Sequence, residues 1–208
     1  MRGWSGVPVR PAQGAWGGLL KPDLRQELRE CVQGRVCLLG VGNPDQGDDG
    51  LGIKLAESLE KKLKDLPNGP VVIDGGTMPE RYIGQVTEGG FDRLVFLDAV
   101  EFGGEPGSVL VANGEEMESR FPQVSTHRIS LGMLASWVEG NGKTKVRLIG
   151  VQPESLKMGQ GLTPTVEKTV QILEEVLGDL WCEGTSSGEG SPPPTTSAWP
   201  GRPSAEVQ

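Results

Sequence analysis

Histidine and cysteine are scarce in this chain, and what is missing narrows the chemistry before anything present is considered. His127 is the only histidine, so no HExxH zinc motif exists. The three cysteines, Cys31, Cys37 and Cys182, are odd in number and lack CxxC spacing, which points away from a disulfide framework or a zinc ribbon and fits a reducing compartment. A Cys–His nucleophilic pair is poorly supported, because the nearest candidate, Cys37, lies inside an apolar run. Neither a GxSxG elbow nor a GxxxxGK(S/T) loop occurs, so serine-hydrolase and P-loop chemistry are disfavoured. Long apolar runs are also missing: none approaches the roughly 18 residues of a membrane span, and the first 20 residues, broken by Pro8, Pro11 and glycines, lack a signal-peptide core. Positive charge is in deficit, with 20 basic against 28 acidic side chains and a formal charge of −8. That balance repels nucleic acid and anionic membranes and favours a protein or small-molecule partner. A soluble, cytoplasmic protein is expected.

What is present reads as one domain between two atypical ends. The chain has 208 residues, and much of its excess of glycine (32) and proline (16) sits at the termini. Residues 1–34 read as an N-terminal extension, aperiodic to about position 21 and then a short helix over 22–33 opened by Pro22 and Asp23 and stopped by Gly34. Residues 183–208, rich in Ser, Pro, Gly and Thr, read as a disordered tail. Between them, residues 35–182 alternate. Apolar runs at 35–42, 71–74 (VVID) and 94–98 (LVFLD) predict strands of the kind buried on both faces, and 108–112 and 145–151 add two more. Leu51, Leu55, Leu59 and Leu63 mark one helix over 50–64, and a second is expected over about 128–138. Thr163-Pro164 opens a last helix with the stripe Val166, Val170, Leu173, Leu177 and Leu180. This order predicts an α/β three-layer sandwich: a mostly parallel sheet of about five strands with helices on both faces.

In such a sheet the carboxyl ends of the parallel strands share one edge, where ligands bind. Asp74 and Asp98 each close an apolar run, the segment 43–49 with Asp48 and Asp49 follows the first, and His127 precedes a helix. Two carboxylates and an imidazole suit zinc, nickel or another divalent ion with positions left open. Each residue also has a plain reading: GDDG as a turn capping the next helix, Asp74 and Asp98 as turn residues, His127 as a surface side chain. Gly40-x-Gly42 followed by Asp74 imitates part of a dinucleotide-binding fingerprint, but Asp45 occupies the third glycine position and the helix starts late, near Gly50. Residue types alone leave a metal or a nucleotide site open.

The run Gly40-Val41-Gly42-Asn43-Pro44-Asp45-Gln46-Gly47-Asp48-Asp49-Gly50-Leu51-Gly52 resembles the signature opening of the nickel–iron hydrogenase maturation endopeptidases. VVIDGGTMPE (71–80), LVFLDAVEFGGEPG (94–107), STH (125–127) and LIGVQPE (148–154) resemble the later blocks of that family in the same order, over about residues 35–180. The resemblance implies a metal-dependent endopeptidase, with Asp49, Asp98 and His127 as metal ligands and Asp74 near the site and implicated in activity. It implies as partner a hydrogenase large-subunit precursor, whose C-terminal extension is removed after nickel insertion. The resemblance further implies that the nickel is supplied by that precursor and that the site is open to other divalent ions in vitro. Pro44-Asp45-Gln46 departs from the family, where apolar residues are commoner, and bears on substrate preference. The alternative of another class is a non-catalytic metal- or nucleotide-binding module on the same fold.

Overall fold

The computed structural model describes residues 22–120, 129–140 and 142–185. Near-continuous apolar runs form two central strands, β1 (Val36–Val41), buried at every position, and β3 (Arg93–Ala99); β5 (Lys145–Val151) begins with an exposed Lys145 and is apolar and buried from Leu148 on. With β2 (Val71–Gly76) and β4 (Val109–Asn113) they make one sheet in the order β2-β1-β3-β5-β4. Every pairing is parallel except β4 with β5, which leaves an antiparallel strand at one edge.

Side-chain alternation divides this sheet between two cores. Val36, Leu38, Val95 and Leu97 pack with α1 (Pro22–Cys31), α2 (Leu51–Leu63) and α6 (Pro164–Thr185), whose stripe is the one expected from the sequence. Cys37, Leu39, Leu94 and Phe96 face α3 (Ile83–Glu88), α4 (Gly114–Arg120) and α5 (Leu131–Glu139). Helices therefore cover both faces, and the expected three-layer α/β arrangement is found. The first turn of α2 lies directly on the strand ends: a Cβ at Gly52 would come within 2.0 Å of the Leu97 carbonyl oxygen and 2.4 Å of that of Val41. Only glycine permits this approach.

Several details differ from the sequence reading. A 3₁₀ turn, Gly47–Gly50, precedes α2, and β2 runs two residues beyond Asp74. The helices α3 and α4 were not expected; each is short and depends on docking through buried residues such as Ile83, Val86 and Met117. The helix expected from about 128 begins at Leu131, where Ser130 caps it by accepting from the Met133 N–H (3.3 Å). The short helix expected in the N-terminal extension, α1, is part of the α/β body: Leu28 and Cys31 are buried in the first core, and Arg25 and Arg29 both pair with Glu183 (2.8 and 2.7 Å). The expectations for residues 1–21 and 186–208 lie outside the described residues. Among the described residues no helix is long and apolar enough to cross a membrane.

Candidate active site

From β1 the chain crosses through α2 to β2 on one side, then returns through α3 to β3 on the other. The crevice between the carboxyl ends of β1 and β3 is thus the topological switch point, where open α/β sheets take ligands. Asp98 is the penultimate residue of β3, and Asp49 enters from the 3₁₀ turn after β1. Both are almost completely buried, at 3% and 4% exposure. Asp49 is fixed locally. Its Oδ2 accepts the Asn43 N–H (2.8 Å), and its carbonyl oxygen fills the space where a Cβ on Gly42 would stand, 1.8 Å away, with Gly42 in the left-handed region at φ +130°. Asp98 is less well served, because its Oδ1 is buried without a hydrogen-bond partner among the described residues. Burial pushes its carboxyl well above the ordinary carboxylate range, the neighbouring Asp49 pushes it further, and a hydrogen bond from the Ala99 backbone opposes them.

The remaining predicted site residues separate. Asp74 is level with Gly40 and Leu97, so it stands at the same edge with β1 between it and β3, roughly 10 Å across at the usual strand spacing. It is exposed, and its Oδ1 accepts the Gly76 N–H (3.0 Å). Along β2, Val71 and Ile73 face the second core and Val72 the first, so alternation turns Asp74 toward the α2 side; on β3, Asp98 follows Leu94 and Phe96 toward the other. His127 lies outside the described residues. Among the described residues no group of three or more His, Cys, Asp or Glu side chains is placed to hold a metal ion, so Asp49 and Asp98 stand as a pair.

Comparison with known proteins decides between a maturation protease and a non-catalytic binding module. The sequence profile of the hydrogenase maturation protease family matches residues 53–179, more than half of the chain. The chain belongs to this hydrogenase maturation protease family. The hydrogenase 2 maturation protease of Escherichia coli is 35% identical over 151 residues, which is 70% of this chain and 90% of the relative. Among solved structures, a NiFe hydrogenase maturation protease from Thermococcus kodakarensis superimposes with a TM-score of 0.66 at 30% identity, covering 74% of this chain and 98% of the other. The hydrogenase maturating endopeptidase of E. coli gives 0.60 at 34%, covering 72% and 94%.

As a hydrogenase maturation protease the chain has no use for a phosphate cradle at its GVGN turn, and the turn is closed to one. The Gly42 N–H donates to the Gly76 carbonyl (2.9 Å) and the Asn43 N–H to Asp49, so these amides are already engaged. The thiols of Cys31 and Cys37 are equally removed from the chemistry, since burial pushes both up to about 12. The paired acids fit a divalent cation: two carboxyl groups crowded in a buried crevice, one with an unpartnered oxygen, are stabilised by a shared proton or by a cation. Two further buried polar residues stand at this edge, Gln152, which the sequence reading gave no role, and Asp48, which it read as a cap for the next helix. Gln152 accepts the Phe102 and Gly104 N–H groups (3.0 and 3.2 Å) and so holds the loop after β3. Asp48, fully buried, takes four hydrogen bonds from the loop after β5 and the start of α6. Their partners lie 48 to 115 residues away in sequence, so no local pattern announces them.

Proposed function

We propose that this maturation protease removes the C-terminal extension of a nickel–iron hydrogenase large-subunit precursor, and that Asp49, Asp98 and His127 engage nickel already carried by that precursor. The observation that carries this reading is the pair of buried carboxyl groups at the switch point, with Asp98 Oδ1 lacking a partner among the described residues. A buried pair of carboxyl groups favours a cation arriving from outside over two adjacent negative charges. The chain's own part is to desolvate and orient. Asn43 fixes the Asp49 carboxylate, β3 fixes Asp98, and both side chains are buried. A bound divalent ion supplies Lewis acidity to the scissile carbonyl or to water. Asp74, exposed at the same edge and bonded to the Gly76 N–H, stands outside the pair. The cytoplasm is the proposed location.

The deciding experiment is incubation with precursor prepared with and without nickel, followed by intact-mass measurement. Loss of a C-terminal peptide from the nickel-loaded precursor alone is expected, and pretreatment of the protease with a chelator that is then removed leaves cleavage unchanged. Tight stoichiometric zinc in the purified protein, with cleavage of nickel-free precursor that a chelator abolishes, would overturn the proposed source of the metal.

A further inference from the structure

The GDDG turn carries two buried aspartates, and only Asp49 has so far been given a task. Successive residues of a 3₁₀ turn project about 120° apart, so the neighbour of a residue aimed into the crevice is aimed elsewhere. Asp48 turns toward the loop that follows β5. Its Oδ2 accepts the N–H groups of Glu154 and Ser155 (2.8 and 2.9 Å) and the Thr163 hydroxyl (3.1 Å), and its Oδ1 accepts the Thr163 N–H (2.7 Å). These bonds fill the accepting capacity of an ionised carboxylate. Each donor is neutral. The negative charge is held by backbone amides and by the amino-terminal end of the 22-residue helix α6, which favours an anion.

The surrounding backbone repeats the connection. The Gly47 and Asp48 N–H groups donate to the Gln160 and Ser155 carbonyls (3.1 and 2.9 Å), and the Gly159 N–H returns a bond to Asp45 (2.8 Å). One side of the turn is thus fastened to residues 155–160, while Asp49 on the other is pressed against Gly42 and held by Asn43. We propose that Asp48 is a positioning residue for the hydrolytic site: by anchoring the turn to the start of α6, it sets where the Asp49 carboxylate meets Asp98. A carboxylate is required because four donors converge on it; an amide would place an NH2 group among them.

The kinetic arm of the test rests on the endopeptidase reading, and the spectroscopic arm does not. Asp48→Asn, Thr163→Val and the core control Leu177→Ala are compared with the parent at a temperature where each is folded. The Asn43 amide proton, whose shift reports its bond to Asp49, is followed by ¹H–¹⁵N NMR, and kcat and KM are measured on nickel-loaded precursor. Asp48→Asn is expected to move the Asn43 resonance upfield and to lower kcat on the order of 10²-fold with KM little changed, since misplacing a reacting group by about 1 Å has that effect. Thr163→Val, which removes one donor, shifts both in the same direction by less and serves if Asp48→Asn does not fold. Leu177→Ala lowers stability without moving either. An Asn43 resonance and kcat that stay at parental values in Asp48→Asn and Thr163→Val, with only the melting temperature reduced, overturn the proposal. A parent that cleaves no precursor overturns the endopeptidase reading, and the Asn43 shift then still decides for or against positioning.

Discussion

Asp98 shows most directly what the site costs the protein. A carboxyl whose folded-state titration is raised holds a proton that the unfolded chain has already released. Stability therefore falls as pH rises from the ordinary carboxylate value near 4 to the raised folded value, and the loss is complete above it. Asp98→Asn removes that loss. The variant is expected to be more stable than the parent at pH 8, on the order of 1 kcal/mol or more, with less dependence on pH across that window. Chemical denaturation at several pH values checks this; a variant less stable than its parent at pH 8 would show that the ionised carboxylate is well accommodated. Processing activity is expected to be lost by 10²-fold or more, as for removal of a group that contacts developing charge. Glu183 is the opposite case. Its hydrogen bond from Arg29, with Arg25 close by, holds its carboxyl below the usual range, so the stability it adds is present at neutral pH and disappears as acid protonates it. Because it is exposed, Glu183→Gln is expected to lower the melting temperature only slightly at pH 7, and not at all in acid or high salt.

Among the elements, α2 is the one whose placement is least forgiving. Gly52→Ala drives a methyl group into two strand carbonyls, so the helix must lift from β1 and β3. A loss of about 3 kcal/mol or more is expected, against a gain of roughly 0.5–1 kcal/mol for Gly84→Ala in α3, where nothing lies within 4 Å of the added carbon. Thermal melts of the two variants test the contrast, and similar melting temperatures would mean that α2 has room to move. The elements differed just as much in how readily the sequence betrayed them. The runs at 36–41 and 94–97 were plain because strands buried on both faces are apolar, and 145–151 was legible from its apolar second half despite Lys145 and Arg147. Thr163-Pro164 was plain because a cap and a first-turn proline are local signals. Gly114–Arg120 was hidden, since Met117 is the one apolar residue in GEEMESR and the helix exists by docking. The antiparallel sense of β4 leaves no mark in VLVAN. The shared edge of Asp74 and Asp98 was legible from topology, but their opposite faces were not, because that requires the register of both strands. The plain reading of GDDG was a cap for the following helix; Asp48 instead binds Thr163, 115 residues later, at the residue before α6.

Across the whole molecule, the first core joins α1, α2 and α6, so the amino-terminal helix contributes to the site's support without touching it. Leu28→Ala, at a fully buried position of α1, is expected to cost 2–5 kcal/mol and to reduce the yield of active enzyme in proportion to the unfolded fraction. Urea denaturation measures the cost, and a change below about 0.5 kcal/mol would mark α1 as dispensable. The anchoring of Asp48 to Glu154, Ser155 and Thr163 has a consequence in time. Contacts between such distant segments close late, after the loops between them have lost their freedom. A chain still being synthesised has β1, β3 and both crevice acids before α6 exists, and Asp49 already has its local contacts with Asn43 and Gly42, but Asp48 has none of its partners at 154–163. With Asp48 in the positioning role proposed above, the last helix to be made is also the one that sets Asp49 opposite Asp98.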